Sequence, residues 1–205
     1  MLPYNQKYLC IDVESENLNL VKVKPWQVAW CLAEGNKITH RFNEYVDFPD
    51  FEIRDEIARM NHFSWSEYNR KKRPKQEVWD KLKVELYNPE RMIIGQNLLG
   101  FDCYALASLQ KYMGQKPDYS YMERIYDTRP IGKAWKEGLV KPERGDFLSW
   151  QFKMIHDRTM KARVSQAQLL KDLSIEHDPS KSHDAVVDIE NTFKIFLELK
   201  KRMNL

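Results

Sequence analysis

Two hydrophobic patterns alternate along this chain. Short runs of consecutive apolar residues suit strands buried on both faces, and stretches with apolar positions every three or four residues suit helices with one buried face. Residues 8–13, YLCIDV, form the first run, which ends in acids and is followed by the polar turn SENLN. Residues 28–32 and 38–46 predict two more strands, and the connection Glu34, Gly35, Asn36, Lys37 suits a hairpin. The opening reads as a three-stranded antiparallel meander. Helical spacing takes over at residues 52–59 and 75–87; in the second, Val78, Leu82 and Leu86 mark one face and Pro74 the start. A compact strand at 91–94 runs into GQNLLGFD, a helix follows over 103–113 and stops at Gly114, and 124–126 is a fifth strand. Beyond it lie a helix-like IGKAWKEG, the irregular stretch 139–161, a short helix at 166–173 and a last helix over 184–203. Strands first, then strands alternating with helices, predict an α/β domain on a five-stranded mixed sheet flanked by helices.

Composition narrows the class. With 205 residues, 42% apolar and 31% charged, residues 1–205 make one domain with ample core, and wholesale disorder is excluded. The longest purely apolar run, residues 28–33, is far short of the roughly 20 residues of a membrane-spanning helix. The start, MLPYNQKYLC, has neither a basic opening nor an apolar signal core, so the expectation is an intracellular, cytoplasmic protein with no membrane partner. Cys10, Cys31 and Cys103 form an odd set without CxxC spacing, which argues against a disulfide framework and a zinc knuckle. The net charge of +3 is small, but residues 124–163 carry ten basic and five acidic side chains. Such a segment beside a carboxylate-rich site suits a polyanionic substrate; charge alone describes a solvated face equally well.

Several motifs are missing. Gly95 and Gly100 have the spacing of a phosphate loop, but Phe101 and Asp102 stand where Lys and Ser or Thr are needed, and GxGxxG, HExxH and GxSxG do not occur. What remains is acids at element ends. Asp12 and Glu14, two apart on a strand, project from one face while Ile11 and Val13 project from the other, and two such carboxylates repel unless a cation joins them. Asp102 opens a helix, where an acid also suits the dipole, and Asn97 precedes it in a turn. In SHDAVVDIENTF, His183 and Asp188 are five apart, about 140° of helical rotation, so they converge only if His183 belongs to the loop or first turn. Ser180 and Ser182 offer caps for such a start, and Asp184 with Asp188, four apart, is the rival pair of ligands.

Taken in order, IDVES, NLLGFD and HDAVVD resemble the three motifs of the DEDDh 3′-to-5′ exonucleases, the superfamily of the polymerase III epsilon proofreading subunit, ribonuclease T, oligoribonuclease and exonuclease I. PWQVAWCLAEG and IARMNHFSW are similar to the family's second strand and substrate-side loop, so the likeness runs from Tyr8 to about Leu199. Val13 and Ser15 stand where members usually carry Thr, Gln96 where a His often sits, and one extra residue separates Asn97 from Asp102. The resemblance implies a ribonuclease H-like fold, which residues 139–161 exceed as an insertion. It implies Asp12, Glu14, Asp102 and Asp188 as ligands for two divalent ions, Mg²⁺ with Mn²⁺ substituting, and His183 as the base that deprotonates water. Asn97, Phe63 and Trp65 are the implied substrate contacts, with Trp135 and Trp150 weaker candidates for stacking. The implied partner is a single-stranded or frayed 3′ end, DNA favoured over RNA, and a homodimer is compatible with the family. The alternatives are an exoribonuclease that trims RNA 3′ ends and a non-catalytic nucleic-acid-binding module of the same fold.

Overall fold

The computed structural model describes residues 5–142, 146–181 and 184–205. These residues form one sheet and eight α-helices, in the order β1 (Lys7–Ser15), β2 (Pro25–Glu34), β3 (Lys37–Tyr45), α1 (Asp55–Met60), α2 (Trp65–Lys71), α3 (Lys75–Leu86), β4 (Arg91–Gly95), α4 (Asp102–Tyr112), β5 (Ile125–Asp127), α5 (Thr128–Lys136), α6 (Phe147–His156), α7 (Gln166–Asp172) and α8 (Ala185–Met203). The strand order is β3-β2-β1-β4-β5. β1, β2 and β3 pair antiparallel, whereas β4 is parallel to both β1 and β5. This is the predicted five-stranded mixed sheet.

The alternation of side chains along β1 divides the core into two layers. Leu9, Ile11 and Val13 join Val78, Leu82 and Leu86 of α3 and Leu106 and Leu109 of α4 on one face. Tyr8 and Cys10 join Ile131 of α5, Leu169 and Leu170 of α7, and Ile189, Phe193, Phe196 and Leu199 of α8 on the other. With both faces covered, β1 is the central strand, which explains its continuous apolar run. The α8 stripe packs on the strand through Tyr8, whose ring lies 5.6 Å from Phe193 and 5.3 Å from Phe196 between centroids. Lys200 Nζ donates to the Tyr8 hydroxyl at 2.9 Å. The helix begins on the Asp184 side chain, not on either serine, and ends at Asn204 in the left-handed region, φ 54°.

Two helices lack the expected periodicity. In α2 only Tyr68 is buried, so no stripe forms; the helix is set by its cap, the Ser64 hydroxyl accepting from Glu67 N at 3.4 Å. In α6, within the irregular 139–161 stretch, apolar residues fall all round the helix, while the two buried residues are Gln151 and Met154. α1 starts three residues later than residue 52, its first turn holding Asp55 and Glu56. No helix among the described residues is long and apolar enough to cross a membrane.

Gln151 explains how α6 belongs to the fold. β5 is an edge strand, and its outer backbone groups need partners away from water. The fully buried Gln151 supplies both, its Oε1 accepting from Asp127 N at 2.8 Å and its Nε2 donating to Ile125 O at 2.9 Å. Gln151→Leu keeps the volume and strands both groups, so it should lower stability by roughly 3 kcal/mol in urea denaturation without changing the m-value. A change below about 0.5 kcal/mol would mean that water replaces the amide.

Candidate active site

The even-numbered face of β1 runs out from under α8. Tyr8 and Cys10 are covered, Cys10 Sγ donating to Ile189 O at 3.2 Å, and the next two residues on that face are Asp12 and Glu14. β4 pairs with β1 only as far as Cys10↔Ile94 and ends at Gly95, so both acids lie past the carboxyl end of the parallel pair, where open α/β sheets form their crevices. The first turn of α8 brings Asp188 against them. One carboxylate oxygen from each of Asp12, Glu14 and Asp188 lies within 4.8 Å of the others. Asp184, the rival of Asp188, is spent on the helix cap, accepting from Val186 N at 3.0 Å and Val187 N at 3.4 Å. His183 lies outside the described residues.

Asp102 joins this region from the opposite layer. Beyond Ile94 no β4 residue pairs with β1, and Asp102 Oδ1 accepts the Val13 N–H at 2.9 Å instead. The 96–101 turn that delivers Asp102 is anchored by Asp127, a fully buried residue at the end of β5. Its carboxylate accepts from Asn97 N at 2.8 Å, Leu99 N at 2.9 Å and Arg129 N at 3.0 Å. Asn97 takes φ 63°, a left-handed conformation that Asn tolerates, and its Oδ1 accepts from Arg129 Nη1 at 2.7 Å. A Cβ on Gly100 would stand 2.4 Å from that oxygen, so a larger residue there would displace the Asn97 amide from Arg129. The sequence reading missed Asp127; its one signal was an acid between a short strand and a helix, an ordinary cap position.

Of the expected stacking residues, Phe63 is half-buried in an aromatic cluster, 4.9 Å from Trp26 and 5.0 Å from Trp65 between centroids. Trp65 is 49% exposed. Neither lines the cleft that contains Glu14, which has a volume of about 390 Å³ and mostly apolar walls from Leu18, Ile57, Met60 and Phe101, with Arg54 and Asn61 also in its lining. Leu18, 81% exposed, carries the only sequence hint, an apolar residue within a polar turn. Trp135 and Trp150 pack against the α8 core layer.

Burial, with repulsion from Asp188, pushes the Asp12 carboxyl up to about 7. Burial and the charges of Asp12 and Asp188 push Glu14 up to about 9. Asp102 is also raised, first by burial and then by Asp12 and Asp127. Three clustered carboxylates form an all-oxygen donor set, which fits a hard divalent ion such as Mg²⁺ or Mn²⁺. Asp12, Glu14 and Asp188 would hold it.

The sheet order and flanking helices define a ribonuclease H-like α/β domain with an acidic cluster at the end of its first strand. No protein-family model matches the sequence, and neither does any curated protein. Among solved structures the chain shares its fold with exonuclease I. A product-bound exonuclease I covers 98% of this chain with a TM-score of 0.74 at 16% identity. E. coli exonuclease I in complex with a dA16 oligonucleotide covers 97% with a TM-score of 0.75 at 17% identity. The zinc-bound form of the E. coli exonuclease I–ssDNA complex covers 98% with a TM-score of 0.73 at 18% identity. The chain spans less than half of those proteins, 44%, 41% and 41% respectively.

The raised carboxyls give the site a pH signature. At about pH 4 and below they are protonated whether or not the chain is folded; as pH rises the unfolded chain ionises them first, while the folded protein holds the protons until about 7 at Asp12 and about 9 at Glu14. The metal-free protein therefore loses stability across that window, and an ion that binds the charged form restores it. Thermal melts in EDTA should show a smaller fall between about pH 5 and pH 9 in Glu14→Gln than in the unsubstituted chain. Mg²⁺ or Mn²⁺ should raise the melting temperature more near pH 8 than near pH 5; equal increments at both would contradict the site.

Proposed function

We propose that this chain is a metal-dependent 3′-to-5′ exonuclease that releases mononucleotides from single-stranded or frayed 3′ ends, with DNA favoured over RNA. The observation that carries the reading is the meeting of Asp12, Glu14 and Asp188 within 4.8 Å at the end of β1, in a fold shared with exonuclease I. The preference for DNA is supported by the oligonucleotide and ssDNA bound to the E. coli exonuclease I structures.

In this reading Asp12, Glu14 and Asp188 are the metal ligands, and Asp102, fixed by the Val13 N–H, contributes at the edge of the cluster. Two divalent ions, when bound, lower the pKa of the attacking water and relieve charge on the phosphoryl oxygens. His183 takes the proton of that water, a role suited to an imidazole near neutral pH. Water attacks phosphorus, the bond from phosphorus to the 3′ oxygen of the preceding nucleotide breaks, and a nucleoside 5′-monophosphate departs. The cleft between Leu18, Ile57 and Met60 receives the last base, its apolar walls replacing the stacking neighbour lost at a strand end.

A gel time course on 5′-labelled single-stranded DNA and RNA tests this directly. With Mg²⁺ the DNA should shorten one nucleotide at a time from its 3′ end, faster than the RNA, and EDTA should stop it. Asp12→Ala should abolish the ladder while the melting temperature and oligonucleotide affinity in EDTA stay close to those of the parent. Retained binding with no cleavage of either polymer would make the chain a nucleic-acid-binding module, and faster shortening of the RNA would make it an exoribonuclease.

A further inference from the structure

The basic segment 124–163 is consumed unevenly by the fold. Arg124 donates to the carbonyl oxygens of Leu86, Asn88 and Arg91, Lys133 to those of Met154 and Asp157, and Lys136 to Arg163 O and the Asp172 carboxylate. These three side chains tie helices and strands together. Of the exposed members, which also include Lys153, Arg158 and Lys161, Arg129 and Arg163 lie on the two walls of a groove of about 580 Å³, and Arg129 Nη1 donates to Asn97 Oδ1 there at 2.7 Å. One wall is the Gln96–Asn97 turn with the start of α5, and the other is the 162–166 segment leading into α7; Gln96 Nε2 joins them by donating to Val164 O at 2.8 Å.

Both walls of the groove are tied to residues of the acidic site. On one side Asn97 belongs to the turn that delivers Asp102. On the other, Gln166 Nε2 donates to the main-chain oxygen of Asp188 at 3.0 Å. Arg129 stands in the first turn of α5, where the helix dipole disfavours a cation and favours an anion beside it. The Asp127 carboxylate behind it is buried and already accepts three main-chain N–H groups. The guanidinium of Arg163 has no partner among the described residues. A second cleft, about 440 Å³ and bounded by the start of α8, has the opposite character: its Asp and Glu lining is Glu67, paired with Lys71, and Asp184. Charge therefore selects the first groove for a polyanion.

Resting on the exonuclease reading, we propose that this groove holds the sugar–phosphate backbone of the strand upstream of the scissile bond, with Arg129 and Arg163 each facing a phosphate. The cleft at Leu18 and Met60, which Glu14 lines, then takes the terminal nucleotide. Guanidinium groups suit the task because their fork of donors matches phosphate oxygens and keeps its charge at any working pH. The ligand chemistry is a phosphodiester chain and not a free nucleotide, since two arginines on separate walls address successive phosphates.

The test measures binding of a fluorescein-labelled oligothymidylate in EDTA over a range of salt concentrations, for the parent chain, Arg129→Ala, Arg163→Ala, the double variant and Arg163→Lys. Each alanine should make the slope of log K against log salt shallower by about 0.7, the two effects should add, and Arg163→Lys should keep the parent slope. In Mg²⁺, kcat/KM on the oligothymidylate should fall several-fold more than on thymidine 5′-(p-nitrophenyl phosphate), which has no upstream phosphate. If Arg129→Ala disturbs Asn97 and lowers the melting temperature, the Arg163 variants decide alone. Parent-like slopes in the alanine variants, no binding by the parent chain, or equal losses on both substrates would overturn the proposal. A parent chain that binds with the expected slopes but cleaves neither substrate would sink the exonuclease reading and leave the groove as a binding track.

Discussion

Carboxylates gathered at a strand end repel one another, and in this protein the packing of α8 across β1 holds them together. Tyr8 is wedged against Phe193 and Phe196, and Cys10 bonds to the main chain of Ile189. Those contacts set how far along the strand the helix begins. One turn of helix after Asp184, Asp188 reaches the two acids that β1 presents just past its covered stretch. The apolar part of the interface supplies stability that its acidic end lacks, so an ion at the cluster acts on a framework that is already positioned.

The same division of labour recurs at Asp102. Its carboxylate stands where β4 would have continued the parallel ladder, and it takes the Val13 N–H that the short strand leaves open. The turn before it depends on Asp127, and the β5 backbone that carries Asp127 depends in turn on Gln151 of α6. A helix that lies between α5 and α7, far from Asp102 in sequence, thus belongs to the chain of contacts that places it. Buried polar groups with complete partners make such a chain rigid, and removing one member leaves the others unsatisfied.

Around the acids the surface divides by chemistry. The cleft at Leu18, Ile57 and Met60 is mostly apolar, with Glu14 and Arg54 in its lining, the groove at Arg129 and Arg163 is basic, and the cleft at Glu67 and Asp184 is not. In the proposed reading the apolar cleft takes a base, the cluster of carboxylate oxygens the scissile phosphate and the basic groove the charged backbone.

The sequence alone determined the alternation that makes β1 central, the hairpin between β2 and β3, the stripe of α8, and the order of the acids at element ends. All of these rest on local spacing, which period and charge express directly. Helical spacing left Asp184 and Asp188 as rivals, and the tertiary structure supplied the physical reason that Asp188 meets Asp12 and Glu14: the Asp184 carboxylate is taken up in capping the helix, which spacing does not show until the helix start is placed. The roles of Asp127 and Gln151 were equally hidden, since the groups they satisfy lie at least 24 residues away or on another element. So were Leu18 and Met60, whose part in a cleft follows from which elements pack beside the strand end. Spacing along the chain sets which face a residue occupies; packing between distant segments sets what that face meets.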